Sequence, residues 1–154
     1  MNTIKQALLF VCCMVSLVSS AQNTTSDYLS IEGATEMTIN GTGVRFYVKL
    51  NGSINYSGYN MDIYLPDGLE FDLSGGNPRV FPLKTLWPYT EQETGDEDDN
   101  GDPIMEKSYT HSLTTEYKAP KHIKVICYSS KNESLTGVSG RLFYVYVKAT
   151  SPYV

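Results

Sequence analysis

Few residues in this 154-residue chain could do covalent chemistry, and their spacing argues against it. There are two histidines, His111 and His122, and one cysteine beyond residue 13, Cys127. Nucleophilic catalysis needs an activated hydroxyl or thiol within hydrogen-bond reach of a base. Neither histidine sits in such a signature, and both read as surface residues. Glu70 and Asp72 lie at i, i+2, which puts both carboxylates on one face of an extended strand, the pairing that glycoside cleavage would use. They follow the Pro66-Asp67-Gly68 turn directly and have no further acid–base residue beside them. Cys127 alternates with Ile123 and Val125 and reads as a small buried hydrophobe. The chain is expected not to be an enzyme.

Two other constellations could bind rather than react. Asp96, Asp98, Asn100 and Asp102 begin like a calcium loop, with alternate oxygens to converge on a hard cation and Gly101 for the turn. The pattern fails at its twelfth position, which is Lys107, with the acid Glu106 one residue short. The expectation is no resident cofactor, with weak Ca2+ binding as the only metal reading. Among twelve tyrosines and one tryptophan, Trp87, Tyr89, Tyr144 and Tyr146 could stack on sugar faces. Cross-strand packing of tyrosines on a half-wet sheet is the alternative, and Trp87 beside Pro88 could equally plug a core.

The elements that must carry these residues are strands. Val44, Phe46, Val48 and Leu50 alternate with Arg45, Tyr47 and Lys49, and Tyr59, Met61, Ile63 and Leu65 alternate with Asn60, Asp62 and Tyr64. Ile123, Val125 and Cys127 form a third inward row. Phe143, Val145 and Val147 form a fourth, with Leu142, Tyr144 and Tyr146 opposite. Weaker strand candidates are 28–32, 36–39, 80–86 and 107–113, and glycines punctuate the runs. The expectation is an all-β, immunoglobulin-like or jelly-roll β-sandwich of about seven to nine strands.

Residues 1–21 read as a signal peptide: Lys5, then an apolar stretch from Ala7 to Val18, then Ser19-Ser20-Ala21. Residues 22–154 then form a single domain, secreted or at the cell surface, with the periplasm the remaining compartment. Cys12 and Cys13 leave with the leader, and the one remaining thiol cannot form an internal disulfide. Net charge is −5, and eight of the seventeen acids fall within residues 91–106, read as an acidic hairpin tip. No basic stripe supports nucleic-acid binding, and no apolar run reaches the ~18 residues of a membrane span.

Tyr59-Asn60-Met61-Asp62-Ile63-Tyr64-Leu65-Pro66-Asp67-Gly68-Leu69-Glu70-Phe71, Lys124-Val125-Ile126-Cys127-Tyr128-Ser129-Ser130 and Gly137-Val138-Ser139-Gly140-Arg141-Leu142-Phe143 resemble cohesin-like domains of secreted Bacteroidetes proteins. That family lies in the wider superfamily of cohesins and carbohydrate-binding modules. The resemblance implies a non-catalytic module for extracellular protein docking, its partner carrying a dockerin-like module. It places recognition on the outward side chains Asn60, Asp62, Tyr64, His122, Lys124 and Tyr128. The alternative it leaves open is a carbohydrate-binding module that recognises polysaccharide through the surface aromatics. The family pattern would add two strands after residue 148, so either the chain is C-terminally truncated or a strand is donated by another chain.

Overall fold

A computed structural model describes residues 27–151 and, of the N-terminal stretch, the strand backbone of 3–5 and 13–15. The signal-peptide reading and residues 152–154 therefore lie outside the described residues. The strands run in the order β1 Thr3–Lys5, β2 Cys13–Val15, β3 Tyr28–Gly33, β4 Glu36–Thr38, β5 Val44–Asn51, β6 Gly58–Tyr64 and β7 Leu69–Phe71. Then follow β8 Leu73–Ser74, β9 Asn77–Pro78, β10 Val80–Pro82, β11 Tyr89–Glu97, β12 Pro103–Tyr109, β13 His111–Ala119, β14 His122–Ser129 and β15 Ser139–Ala149. The protein is an all-β sandwich, and no helix among the described residues is long enough to cross a membrane.

Two antiparallel sheets make the body. One has the order β10-β15-β5-β3, with β7 also on β15, and the other has the order β13-β14-β6-β2. The four alternating rows supply the interior. Phe46, Val48, Leu50, Phe143, Val145 and Val147 come from the first sheet, and Met61, Ile63, Ile123, Val125 and Cys127 from the second, all buried. Tyr59 stacks on Phe143 across the gap, with ring centroids 6.1 Å apart. Leu65, Leu69, Phe71, Leu135 and Trp87 extend the same core. The turn between β6 and β7 uses Gly68 at φ 83°, a backbone conformation open to glycine without strain.

The structure changes three expectations. Leu142 faces the core together with Phe143, because the β15–β5 register shifts between Arg141 and Phe143. Such a bulge gives two neighbours the same side, which strict alternation does not anticipate. The stretch 80–86 is a short strand followed by a 3-10 turn at Lys84–Leu86. In the hairpin at 91–106 the strands run further than a tip would need: most of it pairs as β11 and β12, Tyr89 opposite Tyr109 and Glu91 opposite Lys107, around a tight turn. Asp98 closes that turn: its Oδ1 accepts from the backbone N–H groups of Asn100 and Asp102 at 2.8 and 3.0 Å.

Phe143 has no exposed surface, so Phe143→Ala should destabilise the sandwich by about 3–5 kcal/mol in denaturant unfolding. A cost below ~1 kcal/mol would place the residue outside the core. Burial pushes the Cys127 thiol up to about 11, so a thiol reagent near neutral pH should label it only on unfolding. Rapid labelling of the native protein would contradict its inward position.

Candidate recognition face

Strand pairing fixes which side chains share the outward face of the β13-β14-β6 sheet. In the β14–β6 register, His122 lies opposite Tyr64, Lys124 opposite Asp62, Ile126 opposite Asn60 and Tyr128 opposite Gly58. On the far side of β14, Glu116 faces Lys124, Thr114 faces Ile126 and Ser112 faces Tyr128. The six residues nominated from sequence therefore stand on one surface, three on each of two adjacent strands. The inward partners Met61, Ile63, Ile123, Val125 and Cys127 hold both strands against the core, which makes the platform rigid.

At one end of this face His122 Nε2 contacts Asp62 Oδ1 at 2.8 Å. The His122 and Tyr64 rings stack at 4.1 Å with 20° between their planes. Tyr64 and Tyr128 remain exposed, at 45% and 50%. Among the described residues, the side chains of Asn60, Tyr64 and Tyr128 make no hydrogen bond with another side chain. Lys124 faces Asp62 and Glu116 in register but, among the described residues, has no carboxylate within 4.0 Å. This face thus combines two exposed phenol rings with donors and acceptors that the fold leaves free, a composition common at the centres and rims of protein interfaces.

The opposite outward face, on β3, β5, β15 and β10, is closed on itself. Glu32, Tyr47, Tyr144 and Phe81 form one row across four strands. Glu32 holds Lys49 at 3.4 Å and Arg141 at 2.7 Å. The Arg141 guanidinium covers Tyr47 at 4.2 Å, Arg45 covers Tyr144 at 4.6 Å, and Arg79 covers Tyr146 at 3.8 Å while pairing with Asp72 at 2.7 Å. Arg45 also donates to the hydroxyls of Tyr47 and Tyr146. Cation–π contacts of this kind stabilise a sheet surface, and they occupy ring area that a sugar would otherwise stack on. Tyr144 and Tyr146 are half-buried within this lattice.

Trp87 is unsuited to glycan stacking: it is 4% exposed and packed against Tyr109 and His111, with ring centroids 6.2 and 6.0 Å away. Of the four aromatics considered for sugars, Tyr89 is the exposed one, at 46%, and Lys107 Nζ lies 4.1 Å from its ring centre. His111 is not a surface residue. It is buried at 3% exposure, its Nδ1 lies 3.0 Å from Thr110 Oγ1, and its Nε2 has no hydrogen-bond partner among the described residues. The sequence offered no cue for this, because His111 opens a strand whose next residue faces solvent. The nominated metal ligands Asp96, Asp98, Asn100 and Asp102 are not brought together. Asp96 lies in β11 and Asp98 is engaged in closing the turn. Among the described residues no three His, Cys, Asp or Glu side chains converge to hold a metal. Glu70 and Asp72 also separate in role: Glu70 pairs in register with Lys148, and Asp72 binds Arg79.

No known family model matches the chain, and no curated protein or solved structure matches it significantly.

The Arg141 hydrogen bond, with Lys49 assisting, holds the Glu32 carboxyl below its ordinary value of 4.5. A carboxyl lowered in the folded state adds stability above its unfolded pKa and loses it as pH falls through the folded one. Glu32→Gln should therefore lower the melting temperature at neutral pH, with the gap to wild type closing as pH falls well below 4.5. A gap independent of pH would show that the charge of Glu32 contributes nothing.

Proposed function

We propose that the protein is a non-catalytic, secreted docking module that recognises another extracellular protein through the outward face of β6 and β14. The observation that carries this reading is the contrast between the two faces. One spends its charged and aromatic groups on each other. The other presents Asn60, Lys124, Tyr64 and Tyr128 with their polar ends free. A partner that supplies complementary groups gains hydrogen bonds there without breaking internal ones, so little of its binding energy is lost to reorganisation. The resemblance to cohesin-like domains supports the same surface, since it places dockerin recognition on these two strands. The Asp62–His122–Tyr64 cluster would serve as the pre-ordered anchor, with Asn60, Lys124 and Tyr128 making adaptable contacts around it.

Glycan recognition is the rival reading, and the arginine-covered tyrosines weigh against it. Two experiments separate them, the first with the full chain immobilised and exposed to the culture medium of its producing cell, the second with the free chain in polysaccharide gels. Asn60→Ala combined with Asp62→Ala should weaken capture of a partner protein at least tenfold, about 1.4 kcal/mol, while Phe81→Ala on the other face leaves it unchanged. Retardation in polysaccharide gels that Tyr144→Ala abolishes and the double variant preserves would overturn the docking reading in favour of the glycan one.

A further inference from the structure

We propose that the outer edge of β6 is a strand-acceptor site, which takes an extended, uncharged apolar strand from a polypeptide other than a second copy of this chain by backbone pairing. The inference rests on the docking reading and adds to it the main-chain part of recognition. One side of β6 is fully used, since its residues pair with β14 from Tyr64 opposite His122 to Gly58 opposite Tyr128. Its other side receives no strand from residues 27–151. What lies there is β2, antiparallel, with Cys13 opposite Ile63, Met14 opposite Asp62 and Val15 opposite Met61. The edge thus has the geometry to accept an added strand, and the strand it accepts comes from an apolar stretch. Removal of that stretch on export would leave the N–H and C=O groups of the edge without partners, a state that favours pairing with another chain.

Other edges of the sandwich carry features that discourage such addition. β13 contains Glu116 and Lys118 and a register shift between Tyr117 and Ala119. β10 has three residues and ends in Pro82, and β3 carries Glu32, already clamped by two cations. β6 has seven residues with no proline, lysine or arginine. Its one charge, Asp62, is bonded to His122. Charged residues, prolines and bulges are the usual protections of an edge, and of these β6 has only Asp62. The inward row of Tyr59, Met61 and Ile63 sets the chemistry of the guest: its alternate residues must be apolar to continue the core face. Its intervening residues emerge beside Asn60, Asp62 and Tyr64, so strand addition and side-chain docking would act on one partner together.

Amide hydrogen exchange on the full chain tests this. The β6 amides that do not pair with β14 should be protected in the intact protein, and Met14→Pro, which removes a ladder donor from β2, should speed their exchange at least tenfold. A synthetic peptide of residues 9–19 with two added lysines, under reducing conditions, should restore protection to the Met14→Pro chain. The same peptide with proline at position 14 should not. Adding Asn60→Ala with Asp62→Ala should leave the peptide effect in place, so failure of the docking reading and failure of this one are distinguishable. The proposal is overturned if these amides exchange alike with and without Met14→Pro, or if the peptide gives no protection. It is also overturned if protection rises with the concentration of the chain itself and no peptide, which would make the guest a second copy.

Discussion

Water is excluded from one interior by four rows of side chains: Phe143, Val145 and Val147 with Phe46 and Val48 on one sheet, and Met61 and Ile63 with Ile123 and Val125 on the other. Every outward assignment depends on that burial. Strand side chains alternate with a period of two, so slipping β6 by one residue would turn Asn60, Asp62 and Tyr64 inward and put Met61 and Ile63 in solvent. Moving those two apolar side chains into water would cost several kcal/mol at about 25 cal/mol per Å². The hydrophobic pattern therefore selects not only the fold but also which polar groups stand on the proposed recognition face.

The two outer faces show how one scaffold can treat similar residues in opposite ways. Arginine and tyrosine interleave on β5 and β15 because registered neighbours bring guanidinium groups over rings, with Arg45 4.6 Å from the Tyr144 centroid. That lattice satisfies itself. On β6 and β14 the cation is Lys124 and the tyrosines lie at the ends of the face, so the rings and the ammonium do not pair in the same manner. The difference arises from cross-strand register, which neither strand specifies alone.

Much of the fold was legible in the sequence, and the reasons for the exceptions are local. The four alternating segments give strands at Val44–Asn51, Gly58–Tyr64, His122–Ser129 and Ser139–Ala149, because a period-two apolar row has one way to be buried. Leu142 escaped that logic through a bulge, which leaves no mark in composition. The acidic run was read as a hairpin tip because it is too polar for a core. In the structure it does stay outside the core, with both strands wholly exposed on the acidic portion, but backbone pairing extends through most of it. The six nominated residues share one surface because register follows from the rows, whereas His111 was misplaced and Trp87 left open between surface and core because burial at a sandwich end depends on long-range packing. Their mutual stacking joins residues from segments that show no pattern in common.

Solution NMR of the full chain addresses the sandwich and its register most directly. The account predicts cross-strand contacts between the backbone protons of Ile63 and Ile123 and of Met61 and Val125, together with side-chain contacts from Tyr59 to Phe143 across the interior. Cross-strand contacts displaced by one residue, or helical sequential contacts through residues 58–64, would contradict it and remove every outward residue from the proposed recognition face.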